Sequence, residues 1–230
     1  MTKARRSAWG AFGTVVVLAL SACSSQGRAA SPKEVRELAG SAEAVQARQE
    51  TEGHLRDVVR AYDDHTPLVL GMVVVRDTCL AGRGKQWFDS NGDDQYKIRC
   101  SMLVTAYYGA DRKRIAPVLD GVLTAGERTG SAIPFTHDAY GQFVDYYRGR
   151  GGRAEVPEMS LPGHTLSWDP VRGRESYLMV EEPDSCPVGE VPVTRCVREP
   201  AEETVAAVRE RYGMVFKLEL GSPEYYKVSR

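Results

Sequence analysis

Three features of this sequence predict an α+β fold with antiparallel, hairpin-linked strands. An amphipathic segment covers residues 31–62, several strand-length apolar or alternating runs are separated by turn residues, and there is no regular β-α-β alternation. The expected arrangement is a long N-terminal helix, with further helices, packed on the sheet. A chain of 230 residues with 42% hydrophobic and 27% charged residues has ordinary globular composition, which excludes a disordered, collagenous or multi-pass membrane protein.

The first helix begins at Ser31-Pro32-Lys33-Glu34, which joins an N-cap serine, a proline at the first helical position and a glutamate three residues after the cap. Val35, Leu38, Ala42 and Val45, then Leu55, Val58, Val59 and Tyr62, recur at three- and four-residue steps and predict one long helix, weakened by Gly40 and Gly53. Residues 68–75 (LVLGMVVV) read as a strand buried on both faces. Residues 85–89, Asn91-Gly92 and residues 96–108 read as a hairpin, because Asn-Gly tolerates the positive φ of a tight reversal. Ile115, Val118, Leu119, Val122 and Leu123 form a helical face within 111–127, with Pro117 marking its start or a kink. Tyr140, Phe143, Val144 and Tyr147 place a helix over 137–148.

The glycine-rich stretch 148–153 (RGRGGR), with Pro157 and Pro162, makes 149–163 the expected connector. Residues 31–230 then form one α+β region or, alternatively, two similar lobes, 31–148 and 164–230. Residues 165–168 and 175–181 flank Asp169-Pro170-Val171-Arg172-Gly173 as a second hairpin. A helix is expected over 200–212, stopped by Gly213. Met214, Phe216, Leu218 and Leu220 alternate with polar or outward residues as a half-buried strand, which Gly221-Ser222-Pro223 turns into 225–229.

The amino terminus carries the most specific signal. Lys3, Arg5 and Arg6 precede a thirteen-residue apolar run, Ala8 to Leu20, too short to span a bilayer comfortably. The run ends in Leu20-Ser21-Ala22-Cys23, an aliphatic residue, two small ones and a cysteine, which resembles the lipobox of bacterial lipoproteins. The resemblance covers residues 1–23 only. It implies that 1–22 is a signal peptide cut before Cys23, that the Cys23 thiol receives a diacylglycerol thioether, and that the new amino group is often acylated as well. Two or three chains hold stably where one does not, since each buried CH₂ contributes about 0.8 kcal/mol. Residues 23–30 would be a flexible tether. The implied location is the extracytoplasmic face of the cell membrane, and the implied partner is that membrane, through lipid on Cys23; an envelope protein is a separate expected partner of the folded region.

Removing the leader takes away three basic residues and no acid, so the net charge moves from -1 to -4. Without a basic excess, nucleic acid is not an expected partner. Four cysteines remain: Cys79, Cys100, Cys186 and Cys196. In an oxidising compartment they predict two disulfides, and short separations favour Cys79–Cys100 and Cys186–Cys196 among the three connectivities. None sits in the C-x₂₋₄-C spacing of zinc sites. The blocks Asp77-Thr78-Cys79 with Arg99-Cys100, and Asp184-Ser185-Cys186 with Arg195-Cys196, hint at a duplication.

The sequence carries few motifs of recognised chemistry. G-x-S-x-G, S-x-x-K and H-E-x-x-H are missing, Gly84-Lys85 lacks the other phosphate-loop residues, and the acidic run 89–94 lacks the glycine and glutamate of a calcium loop. No catalytic residue, metal site or cofactor is assigned. His137-Asp138 is the least poor catalytic pair, although a threonine before it suggests a helix start with Asp138 placed against the dipole. Tyr107-Tyr108, Tyr146-Tyr147 and Tyr225-Tyr226 could each put one ring inside and one on a binding surface. The reading is a disulfide-stabilised lipoprotein that binds an envelope partner, with an extracytoplasmic hydrolase of dispersed site or a two-lobed capture protein of a transporter as alternatives.

Overall fold

The computed structural model describes residues 29–82, 96–151, 156–171, 178–186 and 192–229. The leader, Cys23, the 85–89 strand and the Asn91-Gly92 turn lie outside the described residues.

Ser31 caps α1 (Pro32–Ala39) with the reciprocal bonds its sequence predicts: its hydroxyl accepts from Glu34 N at 3.3 Å, and Glu34 Oε2 accepts from Ser31 N at 2.8 Å. The single long helix gives way to two. Gly40 closes α1 and Ser41 caps α2 (Ala42–His65) by accepting from Ala44 N at 3.2 Å. A poor helix former followed by a good N-cap makes a break there cheap. Gly53 does not interrupt α2, which runs unbroken to His65.

Six strands make one antiparallel sheet in the order β3-β4-β6-β2-β1-β5: β1 (Val69–Ala81), β2 (Tyr96–Ala110), β3 (Glu158–Leu161), β4 (His164–Trp168), β5 (Val193–Glu199) and β6 (Met214–Ser229). The remaining helices are α3 (Ile115–Gly126), α4 (His137–Arg148) and α5 (Val205–Tyr212). The chain is therefore an α+β protein. β1 is buried on both faces only over Met72–Val75, then runs on to Ala81 with inner and outer residues alternating. Its partner is β2, paired from Val69↔Gly109 to Ala81↔Ile98.

Several expectations change. Residues 149–163 are not a plain connector: 158–161 form β3, which meets β4 across a Pro162-Gly163 turn with Gly163 at φ 78°. The two-lobe alternative gives way to one sheet, because β6 lies between β4 and β2, and β5 pairs with β1. β4 pairs with β3 and β6, whereas 172–177 of the expected second hairpin lie outside the described residues and 178–181 form no strand. The 200–212 helix begins only at Val205, where Thr204 accepts from Ala207 N; Gly213 ends it at φ 97° as expected. Gly221-Ser222-Pro223 does not reverse the chain. β6 continues through a bulge, in which Ser222 faces Met102 while Tyr226 faces Cys100.

Alternation divides the sheet into two unlike faces. Val73 and Val75 of β1, Val104, Ala106 and Tyr108 of β2, and Phe216, Leu218 and Leu220 of β6 form the main core with α2, α3 and α4. At the far end of this face α1 covers Cys79, Ile98 and Cys100 through Val35 and Ala39. Asp77, 2% exposed, would be costly there without partners. Arg48 Nε and the Tyr225 hydroxyl both donate to its carboxylate at 2.5 Å, tying α2 and β6 to β1.

Both disulfides have the expected connectivity. Cys79 and Cys100 face each other across β1 and β2 with Cα atoms 4.0 Å apart, inside the core. Cys186, exposed and outside any strand, reaches Cys196 on β5. The suggested duplication does not extend to structure: Asp77 is a buried strand residue, Asp184 an exposed one outside the sheet.

Candidate functional site

The second sheet face carries Met72, Val74 and Arg76 of β1, Leu103, Thr105 and Tyr107 of β2, and Val215, Lys217 and Glu219 of β6. Only part of it is covered. α5 sits at one end because two glycines let it approach: a Cβ on Gly71 would stand 2.6 Å from Val208 Cγ2, and one on Gly109 2.0 Å from Tyr212 Cδ2. A small second core of Met72, Val74, Tyr107, Val180, Val205, Val208 and Val215 results.

Residues 178–186 lie over the same face as a strap held at several points. Asp169, just after β4 and 1% exposed, is the central one. Its Oδ1 accepts from Val180 N at 2.9 Å and Arg209 Nη2 at 2.9 Å, and its Oδ2 accepts from Arg209 Nε at 2.8 Å and Val215 N at 2.8 Å. All the lone-pair directions of the carboxylate are thus used, which is how a buried charge becomes tolerable. The Arg209 pKa is raised, first by this hydrogen bond to Asp169 and then by attraction to Asp169 and Glu182, against burial. Glu182 anchors the strap further, accepting from Ala206 N near the start of α5 at 3.1 Å and from Arg198 of β5 at 2.8 Å. Cys186–Cys196 closes its end.

Between strap and sheet is a groove of about 380 Å³, whose floor is Val74, Arg76, Leu103, Thr105 and Tyr107 and whose walls include Val156–Glu158, Leu178–Asp184, Lys217 and Glu219. A second hollow of about 370 Å³ shares Arg76 and Leu103 and extends to the β6 bulge. Lys217 pairs with Glu219 at 3.2 Å and Arg198 with Glu182 at 2.8 Å. Arg76 has no carboxylate among the described residues. Its Nη2 reaches the Asp184 carbonyl at 3.4 Å, and its Nε is buried without a hydrogen-bond partner. Burial, helped by Glu219 and Glu182, pushes the Tyr107 hydroxyl up to about 12, so it stays a proton donor at neutral pH.

The chain matches no protein-family model, no curated protein and no solved structure.

His137 lies elsewhere, at the start of α4. Its Nδ1 is 2.8 Å from Glu127 and its Nε2 3.2 Å from Asp120, which also pairs with Arg148 at 3.2 Å. Burial alone would lower its pKa, but the bonds to and attraction of Glu127 and Asp120 prevail and raise it. Held by a carboxylate at each ring nitrogen, the imidazole ties α3 to α4 in an arrangement that favours its cationic form, and Glu127 also caps α4 by accepting from His137 N. Asp138 plays no part in this cluster and stands in the first turn of α4. His54 and His164 line a separate hollow of about 440 Å³ with Glu50, where burial lowers the His164 pKa. His65 is in the last turn of α2. Among the described residues no three His, Cys, Asp or Glu side chains are grouped to hold a metal.

The tyrosine pairs serve the interior. Tyr107 and Tyr108 are both buried, on opposite faces, and Tyr108 donates to Val59 O at 2.9 Å. Trp168 Nε1 donates to Tyr147, whose ring meets Tyr146 edge-on. Tyr225 donates to Asp77, and the Tyr226 hydroxyl is 3.2 Å from Ser41 Oγ. Arg76 of the groove, and Asp169 and Arg209 that hold its roof, are not marked by sequence reasoning. Asp169-Pro170 has turn chemistry, and nothing local distinguishes a turn aspartate from a buried anchor.

Proposed function

We propose that this chain is an exported lipoprotein, held on the extracytoplasmic face of the cell membrane by acyl chains on Cys23, where it acts as a binding or accessory protein of the envelope. The observation that carries the reading is the pairing of cysteines. All four among the described residues are joined in two disulfides, as suits an oxidising compartment, which leaves Cys23 of the five at the end of the leader. Two further facts fit. No helix among the described residues is long and apolar enough to cross a membrane. The groove beneath the strap is concave and lined by apolar and polar groups together, the character of a small-ligand site.

The test is fractionation of cells expressing the chain and its Cys23→Ala variant. The parent is expected in the membrane fraction, released by detergent but not by high salt, and the variant is expected to lose its mature, membrane-held form. Equal membrane retention of both would overturn the proposal.

A further inference from the structure

We propose that the groove binds a small zwitterion, an amino carboxylate whose carboxylate meets Arg76 on the floor and whose ammonium group meets the wall carboxylates Glu158 and Glu181. The inference deepens the binding role above and rests on it for its context.

The charges decide the ligand class. Lys217 and Arg198 are neutralised by Glu219 and Glu182, whereas among the described residues Arg76 has one long contact to a backbone carbonyl and a buried Nε–H without an acceptor. A guanidinium held this way loses hydration that a carboxylate on its fork would restore. On the walls the sign reverses. Glu158 and Glu181 are exposed wall residues, and neither is ion-paired among the described residues. A multiply charged anion would be repelled by them, and a simple cation would leave Arg76 unmatched. A molecule with both charges satisfies both ends.

The floor between them suits a short apolar body. Val74 and Leu103 stand beside Arg76, and Thr105 and Tyr107 follow Leu103 at two-residue steps along β2, giving a floor about 13 Å long from Leu103 to Tyr107. Asp169 holds the strap, and so sets the height of the roof.

The experiment is calorimetric titration of the full chain, extracted in detergent, with 6-aminohexanoate, hexanoate and hexylamine. The expected order is 6-aminohexanoate strongest, hexanoate about fivefold weaker, and hexylamine without saturable binding. Arg76→Gln is expected to weaken both acids about tenfold or more. Because Arg76 is partly buried and its replacement could disturb the sheet, the surface double variant Glu158→Gln with Glu181→Gln provides an independent reading. It is expected to bring 6-aminohexanoate down to the level of hexanoate and to leave hexanoate unchanged or slightly improved. Hexylamine binding as well as 6-aminohexanoate, a double variant without effect on their ratio, or no heat from either acid at about 10 mM would overturn the proposal. Binding is read on the purified chain whether or not Cys23 is acylated, so a negative result here leaves the anchoring question intact, and the reverse.

Discussion

Asp169 and Arg209 form a bidentate ion pair, with Nε 2.8 Å from Oδ2 and Nη2 2.9 Å from Oδ1, at the junction of β4, α5, β6 and the strap. Arg209 also donates to Val180 O at 2.6 Å, so one pair of side chains fixes both the helix and the segment that roofs the groove. Asp169 is 1% exposed in its side chain and Arg209 27%. Removing one partner of such a pair leaves the other charge uncompensated. Asp169→Asn is expected to cost about 3 kcal/mol in denaturant unfolding and to open residues 178–186 to proteolysis. Lys33→Ala, which removes an exposed pair with Glu37, is the comparison and is expected to leave the unfolding midpoint unchanged. Similar small effects from both would remove Asp169 from its central position.

The two disulfides differ in access. Cys79 and Cys100 are at most 1% exposed, whereas Cys186 is exposed. Under increasing reductant with alkylation, mass spectrometry is expected to find Cys186 and Cys196 labelled before Cys79 and Cys100. By loop entropy either bridge contributes about 3 kcal/mol, the 21-residue separation slightly more than the 10-residue one. Simultaneous labelling of all four would mean that the sheet opens before the exposed bridge is reduced.

His137 gives the fold a signed pH dependence. Its pKa is raised in the folded state by Glu127 and Asp120 against the opposing effect of burial, so folding binds the proton more tightly than the unfolded chain does. The contribution is complete below the unfolded value of about 6.5 and is lost as pH rises through the higher folded value. The Tm advantage of the parent over His137→Gln is therefore expected to be largest near pH 5.5 and to shrink toward about pH 9. A difference that stays constant across this range would contradict the cationic tie.

Gly109 is the seat of α5. A Cβ there would lie 2.0 Å from Tyr212 Cδ2 and 2.6 Å from Tyr212 Cβ, too near the root of the side chain for a simple ring rotation to relieve. Gly109→Ala is expected to destabilise by about 1–3 kcal/mol through displacement of α5. Gly53→Ala, with nothing within 4 Å in an exposed stretch of α2, is expected to stabilise by about 0.5–1 kcal/mol. Chemical denaturation of the two variants distinguishes close approach from backbone freedom.

What could be read from the sequence was what local chemistry determines. The Ser31 capping box, the 137–148 helix, the Gly213 stop and the alternation of Met214 to Leu220 each depend on neighbours within a few residues. The cysteine pairs followed from short separations along the chain. The break at Gly40-Ser41 was written in the same residues, but a continuous apolar stripe outweighed it. The groove was not readable, since Asp169 draws its partners from 11, 40 and 46 residues away and Asp77 meets Tyr225 across 148. Lateral order in the sheet brings Arg76, Thr105 and Lys217 of three strands together on one face, and no local pattern encodes that order.

Mass analysis of the amino-terminal peptide from membrane-extracted protein tests the anchoring most directly. The expected peptide starts at Cys23 and carries a diacylglyceryl thioether, with an acyl group on its amine in hosts that add one. An intact leader, or a mature terminus bearing a free Cys23 thiol, would contradict it.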